Sequence, residues 1–572
     1  MRRSRNVCRL GRMRSTLAAI LFIAACAPAT PAPSGPAAQS TSPVRGGTLI
    51  VALWQEPVTL APHYRSQTAA AVVANVVTEG LSRTNADGNY QAVLAKQIPT
   101  PTNGGVALTS DGRMDVTWEL QPGLKWSDGD PVTSADIKFT WQVWMTDPNT
   151  LSRTGFDQID SIDTPNVTTA IIHYRQLYAA YPNNFAGGLI PKHLLATVPD
   201  ISKHDYSRRP IGTGPFTITE FIAGDHVTAE RNPNYRVPGK PYLDKIIFKI
   251  VPSREVAIAQ LKVGEIHAMW NLLEAQAADL ERDPVIRVVV TPSPSVERIE
   301  MNTAKNEDRT DPNSVHPVLG DINVRRALIY ATPKQDIIDK ILFGKARPGT
   351  SAVSQGWASP KGLTQEGYDP NRAMQLLDEA GWTRGGDGIR SKRGIRASLT
   401  ITTTTGDQSR ERIEQILVDQ FRTIGIELAI RNQPTSVLLS GSWSAGDPRK
   451  RGSFDLVMYA AGPGIDPHNG LFQRYRSTNI PSSANGGNGQ NFTRFKDVEA
   501  DKAIDEAGST LDLEKRKAAY ARLLQLVNQA AVINWLYELS MVDAHRASVV
   551  GFVGNPWEPM TWNSQDWYMR PQ

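Results

Sequence analysis

Residues 118–137 read WELQPGLKWSDGDPVTSADI, and two features of this stretch predict local structure. The pair Asp128-Gly129 is typical of a turn, because glycine reaches backbone conformations that other residues rarely adopt. Thr133 has the hydroxyl side chain that is favoured immediately before a helix, and Asp136 places a negative charge in the first helical turn. The stretch therefore predicts a turn followed by a helix that opens within residues 133–137.

Strand-like and helix-like segments alternate on both sides of this stretch. Residues 48–53 read TLIVAL, a short β-branched apolar run that predicts a buried strand. Asp321 or Asn323 could cap a helix that runs through Ile341, and residues 513–530 have the apolar spacing of one long helix. This alternation predicts an α/β protein in which helices pack on a sheet.

The composition of the chain excludes several classes of protein. The chain has 572 residues, of which 40% are hydrophobic and 21% are charged. These values are ordinary for a folded protein, and a chain of this length can bury several cores. Two cysteines argue against a disulfide scaffold and against a Cys-rich zinc or iron–sulfur site.

The positive net charge comes from the N-terminus. Residues 1–25 contain six arginines and no acidic residue, so the net charge changes from +5 to −1 when this segment is left out. A basic binding surface is therefore not indicated, and no nucleic-acid partner is predicted.

A short apolar run at residues 17–25 follows the arginines and ends at Cys26. The run is too short to span a hydrocarbon core of about 30 Å, so residues 1–25 are predicted to be a signal peptide. The ending Ile-Ala-Ala-Cys resembles a bacterial lipobox, in which the cysteine is lipidated and becomes the mature N-terminus. The alternative is an ordinary signal peptide with a chance cysteine. Residues 26–45 are rich in Pro, Ala and Ser, which predicts a tether.

Motifs of known catalytic chemistry are missing from the sequence. It has no HExxH, no CxxC, no phosphate loop ending in GK[ST] and no GxSxG. The nine histidines are scattered, and no two of them are four residues apart. We therefore predict no metal, no cofactor and no enzymatic activity, although a carboxylate pair of the kind that glycosidases use stays possible among the many acidic residues.

Several short phrases occur along the chain in a recognisable order. They are GGTL at 46–49, VTEGL at 77–81, the stretch 118–137, IPKHLL at 190–195, IGTGPF at 211–216, RNPNY at 231–235, VRRAL at 324–328, YDP at 368–370 and AGW at 380–382. With these phrases the chain resembles the extracellular solute-binding protein family 5 of ABC importers, the oligopeptide- and dipeptide-binding proteins.

The resemblance implies a two-lobed α/β fold of the periplasmic-binding-protein type (type II, cluster C-like) that closes on its ligand. It also implies an extra subdomain on the first lobe, and a hinge where strands cross near residues 299–302 and 532–535. The implied domains are lobe I at 46–83, 209–300 and 540–572, the extra subdomain at 84–208, and lobe II at 301–539. The phrases that carry the resemblance, Gly212-Thr213-Gly214 among them, are expected to be scaffold.

The implied ligand contacts are where this chain departs from the family. Peptide-binding members place an aspartate shortly after a Gly-Trp step, where it pairs with the α-ammonium of the peptide. Here the aspartate position falls on Pro463 or Gly464, and the tryptophan position on Ala460 or Ala461. A buried ammonium without a carboxylate is costly. Either Asp466 takes the role through a local shift, or the ligand has no free amine there.

Five residues are expected to line the cleft on the strength of this resemblance and of the tryptophan content. They are Tyr64, Gln67, Trp357, Asp466 and His468. Tyr64 and Gln67 lie where family members present extended backbone to the ligand, and tryptophan faces can stack on a solute. For each there is a structural alternative: packing for the aromatic residues, a turn for Asp466, and a solvated loop for His468.

These features lead to a functional hypothesis. The protein is expected to be a monomeric, lipid-anchored solute receptor on the outer face of the bacterial plasma membrane. It would capture a peptide and deliver it to ABC permease subunits with their ATPases. An oligosaccharide or another solute without an amine is the alternative ligand, which the missing anchor and the 13 tryptophans favour. An anchored glycosidase and a surface adhesion or chaperone-like protein are more distant alternatives.

Overall fold

The computed structural model of the protein describes residues 42–65, 67–305, 311 and 313–570. The predictions for the signal peptide, for the lipidation of Cys26 and for most of the tether lie outside these residues. By its contacts, Val44–Gln572 forms one structural unit. Among the described helices, none is both long enough and apolar enough to cross a bilayer.

Two long antiparallel strands, Ile286–Met301 and Ile533–Arg546, lie side by side in the middle of the main sheet. Their register shifts twice, with an interruption of the pairing between Pro292 and Val296 and a second shift between Glu297 and Arg298. Pro292 and Pro294 have no N–H group to donate to the ladder, which accounts for the interruption. The hinge expected near residues 299–302 falls on the regularly paired part beyond it.

The main sheet is mixed and extends to both sides of this central pair. In spatial order its strands are Glu427–Ile430, Ser398–Thr402, Leu456–Ala461, Ile286–Met301, Ile533–Arg546, Ala268–Met269, Thr48–Leu53, Lys245–Ile250, His226–Arg231 and Phe216–Ile222, with Arg347–Pro348 paired to Ile533–Arg546. The predicted strand at residues 48–53 is confirmed.

A second sheet and several short ladders lie outside the main sheet. The second sheet has the order Val106–Leu108, Met114–Glu119, Thr169–Tyr174 and Ile159–Asn166. The short ladders pair Ser82–Thr84 with Tyr90–Ala92, Arg390–Lys392 with both Thr383–Arg384 and Ile395–Arg396, and Val549–Val550 with Tyr568–Met569.

Helices pack against these sheets. The α-helices are Thr68–Ala74, Ser134–Thr146, Lys192–Leu195, Arg254–Val263, Glu274–Leu280, Ile322–Tyr330, Lys334–Ile341, Pro370–Glu379, Gln408–Thr423, Thr435–Leu438, Pro448–Arg451, His468–Tyr475, Val498–Gly508 and Leu513–Gln529. The long helix expected at residues 513–530 is confirmed. The expected α/β character is confirmed as well.

The helix expected to run from Asp321 through Ile341 is two helices. Asp321 caps the first of them, Ile322–Tyr330, since its Oδ1 accepts a hydrogen bond from the N–H of Asn323 at 3.0 Å. The second helix, Lys334–Ile341, starts after Pro333. A proline inside a helix clashes with the preceding turn and removes a hydrogen-bond donor, so the expectation of one continuous helix was wrong.

The stretch at 118–137 forms the helix that its sequence predicts. Ser134–Thr146 begins after Thr133, whose N–H donates to the Asp136 carboxylate at 2.8 Å. The other oxygen of Asp136 accepts from the N–H of Lys192 at 2.9 Å. This buried carboxylate therefore caps its own helix and holds the phrase at residues 190–195 in place.

The phrase at residues 211–216 is scaffold for a steric reason. The N–H of Gly214 donates to the carbonyl of Val77 at 2.7 Å, and a Cβ on Gly212 would lie 2.1 Å from the same oxygen. The N–H of Ser127 donates to the carbonyl of Gly212 at 2.9 Å. Backbone segments from three of the family-like phrases meet here, at a spacing that only glycine allows.

Three large apolar clusters form the main cores. One lies around Leu49, Phe216 and Ile246, a second around Met301, Ile401 and Leu417, and a third around Trp118, Trp126 and Ile172. Each cluster draws on segments that are far apart in the sequence. The expected domain boundaries at residues 83, 208, 300 and 539 stay predictions.

Asp543 on the second central strand makes the stability depend on pH. Its side chain is buried, and its Oδ1 accepts from the N–H of Asn271 at 3.0 Å. Burial raises the pKa of Asp543 to about 7. Because the folded state holds this proton more tightly than the unfolded chain does, its contribution to stability is lost as the pH rises from about 4 to about 7.

We expect Asp543→Asn to be more stable than the wild type above pH 7, by on the order of 2 kcal/mol, because the amide carries no charge to bury. The amide oxygen can still accept from Asn271. Urea unfolding at pH 5 and pH 8 measures the effect, with the exposed Asp279→Asn as control. Equal pH dependence in Asp543→Asn and the wild type would contradict the assignment.

Candidate functional site

A cavity of about 1110 Å³ lies between segments that the sequence separates widely. It is lined by residues 154, 155, 157, 158 and 176–180, together with residues 462–464, 468–470 and 472–474. Residues 505–509 contribute Asp505, Gly508 and Ser509. The volume is that of a typical site for an organic ligand, or slightly more.

Backbone forms the wall of this cavity at residues 462–464. These residues directly follow the strand Leu456–Ala461, whose last residue pairs with Val296 of the central strand. A Cβ on Gly470 would lie 2.7 Å from the Cα of Pro463, so the next helix can approach only through glycine. The positions where family members have tryptophan and aspartate are here small or cyclic residues, and peptide groups face the cavity.

Asp466 is bound by Arg516. The two guanidinium nitrogens donate to the two carboxylate oxygens at 2.7 and 2.8 Å, and both side chains are buried. Arg516 also donates to the hydroxyl of Tyr520 at 2.9 Å and to the carbonyl of Ala507 at 3.1 Å. A bidentate pair of this kind neutralises the carboxylate, so Asp466 offers no free negative charge to a ligand.

Trp357 and His468 lie beside this ion pair. The guanidinium of Arg516 is 5.1 Å from the centre of the Trp357 ring, and the indole N–H of Trp357 donates to the carbonyl of Ile465 at 3.1 Å. The N–H of His468 donates to Asp466 at 3.0 Å. Three of the five predicted site residues, Trp357, Asp466 and His468, are thus brought together.

These three residues border two cavities. His468 lines the large cavity, whereas Trp357 and Asp466 line a neighbouring one of about 560 Å³. Ala179 lines both. The smaller cavity is mostly apolar, with Tyr90 among its walls.

Burial favours the uncharged form of the His468 imidazole. Burial lowers its pKa below the usual range, and the nearby Asp466 opposes this shift without cancelling it. The Nδ1 atom lies 3.3 Å from the hydroxyl of Tyr520. His468 therefore offers the cavity a polar ring.

Tyr64 and Gln67 do not line either cavity. The hydroxyl of Tyr64 donates to Asp147, and its ring centre is 3.8 Å from that of His63. The side chain of Gln67 accepts from the N–H of Val58 at 2.9 Å. Both side chains are engaged in other contacts, that of Tyr64 with a residue 83 positions along the chain, and the structure does not bring them together with the other three.

Buried ion pairs lie on the central strand behind the wall at residues 462–464. Arg298 donates to Glu300 at 3.0 Å, and the hydroxyl of Tyr459 donates to the same oxygen at 2.7 Å. Arg410 donates twice to Glu297, at 2.9 and 3.0 Å. These carboxylates are compensated by their partners and do not charge the cavity.

Arg474 contributes a cation to the cavity wall. It lies on the helix His468–Tyr475, and its Nη1 donates to the carbonyl of Gly462 at 3.3 Å. Burial and the nearby charge of Arg298 lower its pKa. Asp157 lines the same cavity and has an exposed side chain.

Sequence reasoning missed the wall at residues 154, 155, 157, 158 and 176–180 and the role of Arg474. No motif or spacing marks these residues, and only the fold brings them to the same cavity. Arg516 and Tyr520 could have been paired with each other, because residues four apart share a helix face. Within residues 42–65, 67–305, 311 and 313–570, no group of His, Cys, Asp and Glu is arranged to hold a metal ion.

Comparison with known proteins agrees with this architecture. The family model described as bacterial extracellular solute-binding proteins, family 5 middle, matches residues 90–483. The oligopeptide-binding protein AppA of Bacillus subtilis is 26% identical over 559 residues, which cover 96% of this chain and 96% of that protein.

Two solved structures have the same fold. NikZ from Campylobacter jejuni, in complex with Ni(L-His), superposes with a TM-score of 0.68 at 25% identity and covers 91% of this chain and 99% of its own. AppA from Bacillus subtilis, in complex with a nonapeptide, superposes with a TM-score of 0.67 at 24% identity. The match covers 93% of this chain and 100% of the AppA chain. The fold is thus that of the two-lobed α/β binding proteins that the sequence predicted.

The family match and a relative named as a putative ABC transporter peptide-binding protein of Brucella ovis, 27% identical over 427 residues, define a solute-binding protein of the kind that serves ABC importers. The chain belongs to the bacterial extracellular solute-binding proteins of family 5.

We expect Asp466→Asn to lose about 3 kcal/mol or more of stability, because it leaves the buried Arg516 charge without a counter-ion. Urea unfolding measures the loss. The control Glu506→Gln breaks an exposed pair with Arg522 and should cost about 1 kcal/mol or less. If Asp466→Asn kept full stability and lost only ligand binding, Asp466 would be the ligand anchor instead.

Proposed function

We propose that the protein is a peptide receptor that captures its ligand outside the cell membrane and hands it to an ABC permease. The observation that carries this proposal is the cavity of about 1110 Å³ at residues 462–464. This is the segment where the resemblance to peptide-binding members places the ligand. A relative that matches nearly the whole chain is an oligopeptide-binding protein.

The walls of the cavity suit a peptide. Peptide groups at residues 462–464 and the side chains of Asn469, Gln473 and Gln490 offer hydrogen-bond donors and acceptors to a ligand backbone. Tyr178 and Phe472 supply aromatic surface. A site with these groups can bind main chain through hydrogen bonds and side chains through apolar contact.

An oligosaccharide finds less support in this cavity. Stacking on sugar rings would use tryptophan faces, but no tryptophan is among the residues that line the cavity of about 1110 Å³. Trp357 borders the smaller cavity. Trp54 stacks on Trp270, with ring centres 5.6 Å apart. The oligosaccharide alternative stays a prediction, which identification of the bound ligand would decide.

The test is native mass spectrometry of the secreted, processed protein, purified without denaturation. A bound mass that fragments as a series of peptides is the expected result. A bound mass that resolves into hexose units would refute the peptide assignment. If the protein is free of ligand, a thermal-shift screen of peptides and oligosaccharides follows, in which a ligand at 100 times its Kd stabilises by about 2.7 kcal/mol.

The membrane anchor is the second part of the proposal. Cys26 would carry the lipid, and residues 26–45 would connect it to the folded part that begins with the strand Thr48–Leu53. A single acyl chain holds a protein weakly, whereas two or more give stable anchoring. Such an anchor would keep a monomeric receptor close to its permease.

We expect cells fed a labelled fatty acid to label the wild-type protein and not Cys26→Ser, because the lipid is attached through that sulfur. Cys8→Ser is the matched control, since Cys8 lies in the predicted signal peptide, and it should be labelled like the wild type. Labelling of Cys26→Ser, or none of the wild type, would refute the lipid anchor.

A further inference from the structure

Arg474 is a cation that lines the cavity without a counter-ion. Among the described residues, no carboxylate lies within ion-pair distance of its guanidinium, which donates one hydrogen bond, to the carbonyl of Gly462. The next arginine on this side, Arg476, differs because it is paired with Asp505. Arg474 thus has N–H donors to spare, since a guanidinium carries five.

Two buried carboxylates of this region are bound by other side chains. Glu300 accepts from Arg298 and from Tyr459. Asp466 is held by both nitrogens of Arg516. Both acids are thus paired with another group, and the charge of Glu300 acts on Arg474 only from beyond ion-pair distance.

The surroundings of Arg474 penalise its charge. Burial, and then the positive charge of Arg298, lower its pKa. A ligand anion placed against the guanidinium would remove this penalty and add charge-assisted hydrogen bonds, for which the planar group of arginine is well shaped. The wall beside it, at residues 462–464, has no carboxylate that would repel an anion.

We propose that Arg474 binds a carboxylate of the ligand, so that the receptor recognises a peptide through an acidic group where peptide-binding members of the family hold an amine. The inference rests on the proposed peptide-binding function. The carboxylate is the C-terminus of the peptide or an acidic side chain, which share the same chemistry. Asp157 lines the same cavity and is negatively charged, so it would repel that carboxylate and favour an orientation with the acidic group at Arg474.

The experiment uses the secreted, processed protein and synthetic nine-residue peptide pools that contain only uncharged side chains. Four pools share the same sequences and differ in their ends: the first has free ends, the second an acetylated N-terminus, the third an amidated C-terminus, and the fourth has both ends blocked. A fifth pool is blocked at both ends and contains one glutamate. Affinities are measured by isothermal titration calorimetry. The comparison of the five pools in the wild-type protein already tests whether a ligand carboxylate contributes to binding.

In the wild type, we expect acetylation to be tolerated and amidation to weaken binding roughly tenfold or more, the size of a lost hydrogen bond to a charged group. Recovery of affinity in the glutamate pool would assign the contact to a side-chain carboxylate, and no recovery would assign it to the C-terminus. In Arg474→Gln, the free and the amidated pools should bind alike. Arg474→Lys should keep part of the preference.

The control Arg522→Gln removes the same charge from an exposed pair with Glu506 and should keep the preference for a carboxylate. Equal affinity of the free, amidated and glutamate pools in the wild type would overturn the role of Arg474 and leave the peptide receptor standing. If Arg474→Gln still bound the free pool more tightly than the amidated pool, the role of Arg474 would likewise be overturned and the peptide receptor would stand. Failure of all five pools to bind would refute the peptide function, and this inference with it.

Discussion

The antiparallel pairing of Ile286–Met301 with Ile533–Arg546 is the interaction on which the rest of the structure depends. One end of the first strand pairs with Leu456–Ala461, and the far end of the second pairs with Ala268–Met269. The two strands therefore join both halves of the main sheet. Between Pro292 and Val296 the two strands are unpaired, so bending costs less there than in the paired parts of the ladder.

The first of these strands also sets the electrostatics of the site. Its buried residues Glu297, Arg298 and Glu300 are charged, and each has a partner of opposite charge. Burying charges in pairs is tolerable, whereas a single buried charge is costly. With these groups and Asp466 neutralised, the charge left to the cavity comes from Arg474, Asp157 and the Arg476–Asp505 pair.

Much of the architecture was predictable because it depends on local signals. The strand at residues 48–53, the helix capped at Thr133 and the long helix at residues 513–530 follow from apolar spacing and capping residues. The helix expected through Ile341 failed at Pro333, a signal that was present in the sequence. The family phrases correctly gave the two-lobed fold and the class of solute-binding proteins.

The sequence by itself determined the class of fold and the family, because each is a property of residue types in chain order. Only the tertiary structure decided what occupies the site. It engaged Asp466 with Arg516, placed Tyr64 and Gln67 in other contacts, and brought residues 154, 155, 157, 158 and 176–180 to the cavity that Arg474 lines. These contacts depend on which side chains lie close together in space although they are far apart in the sequence. The order of residues along the chain does not specify those distances in space.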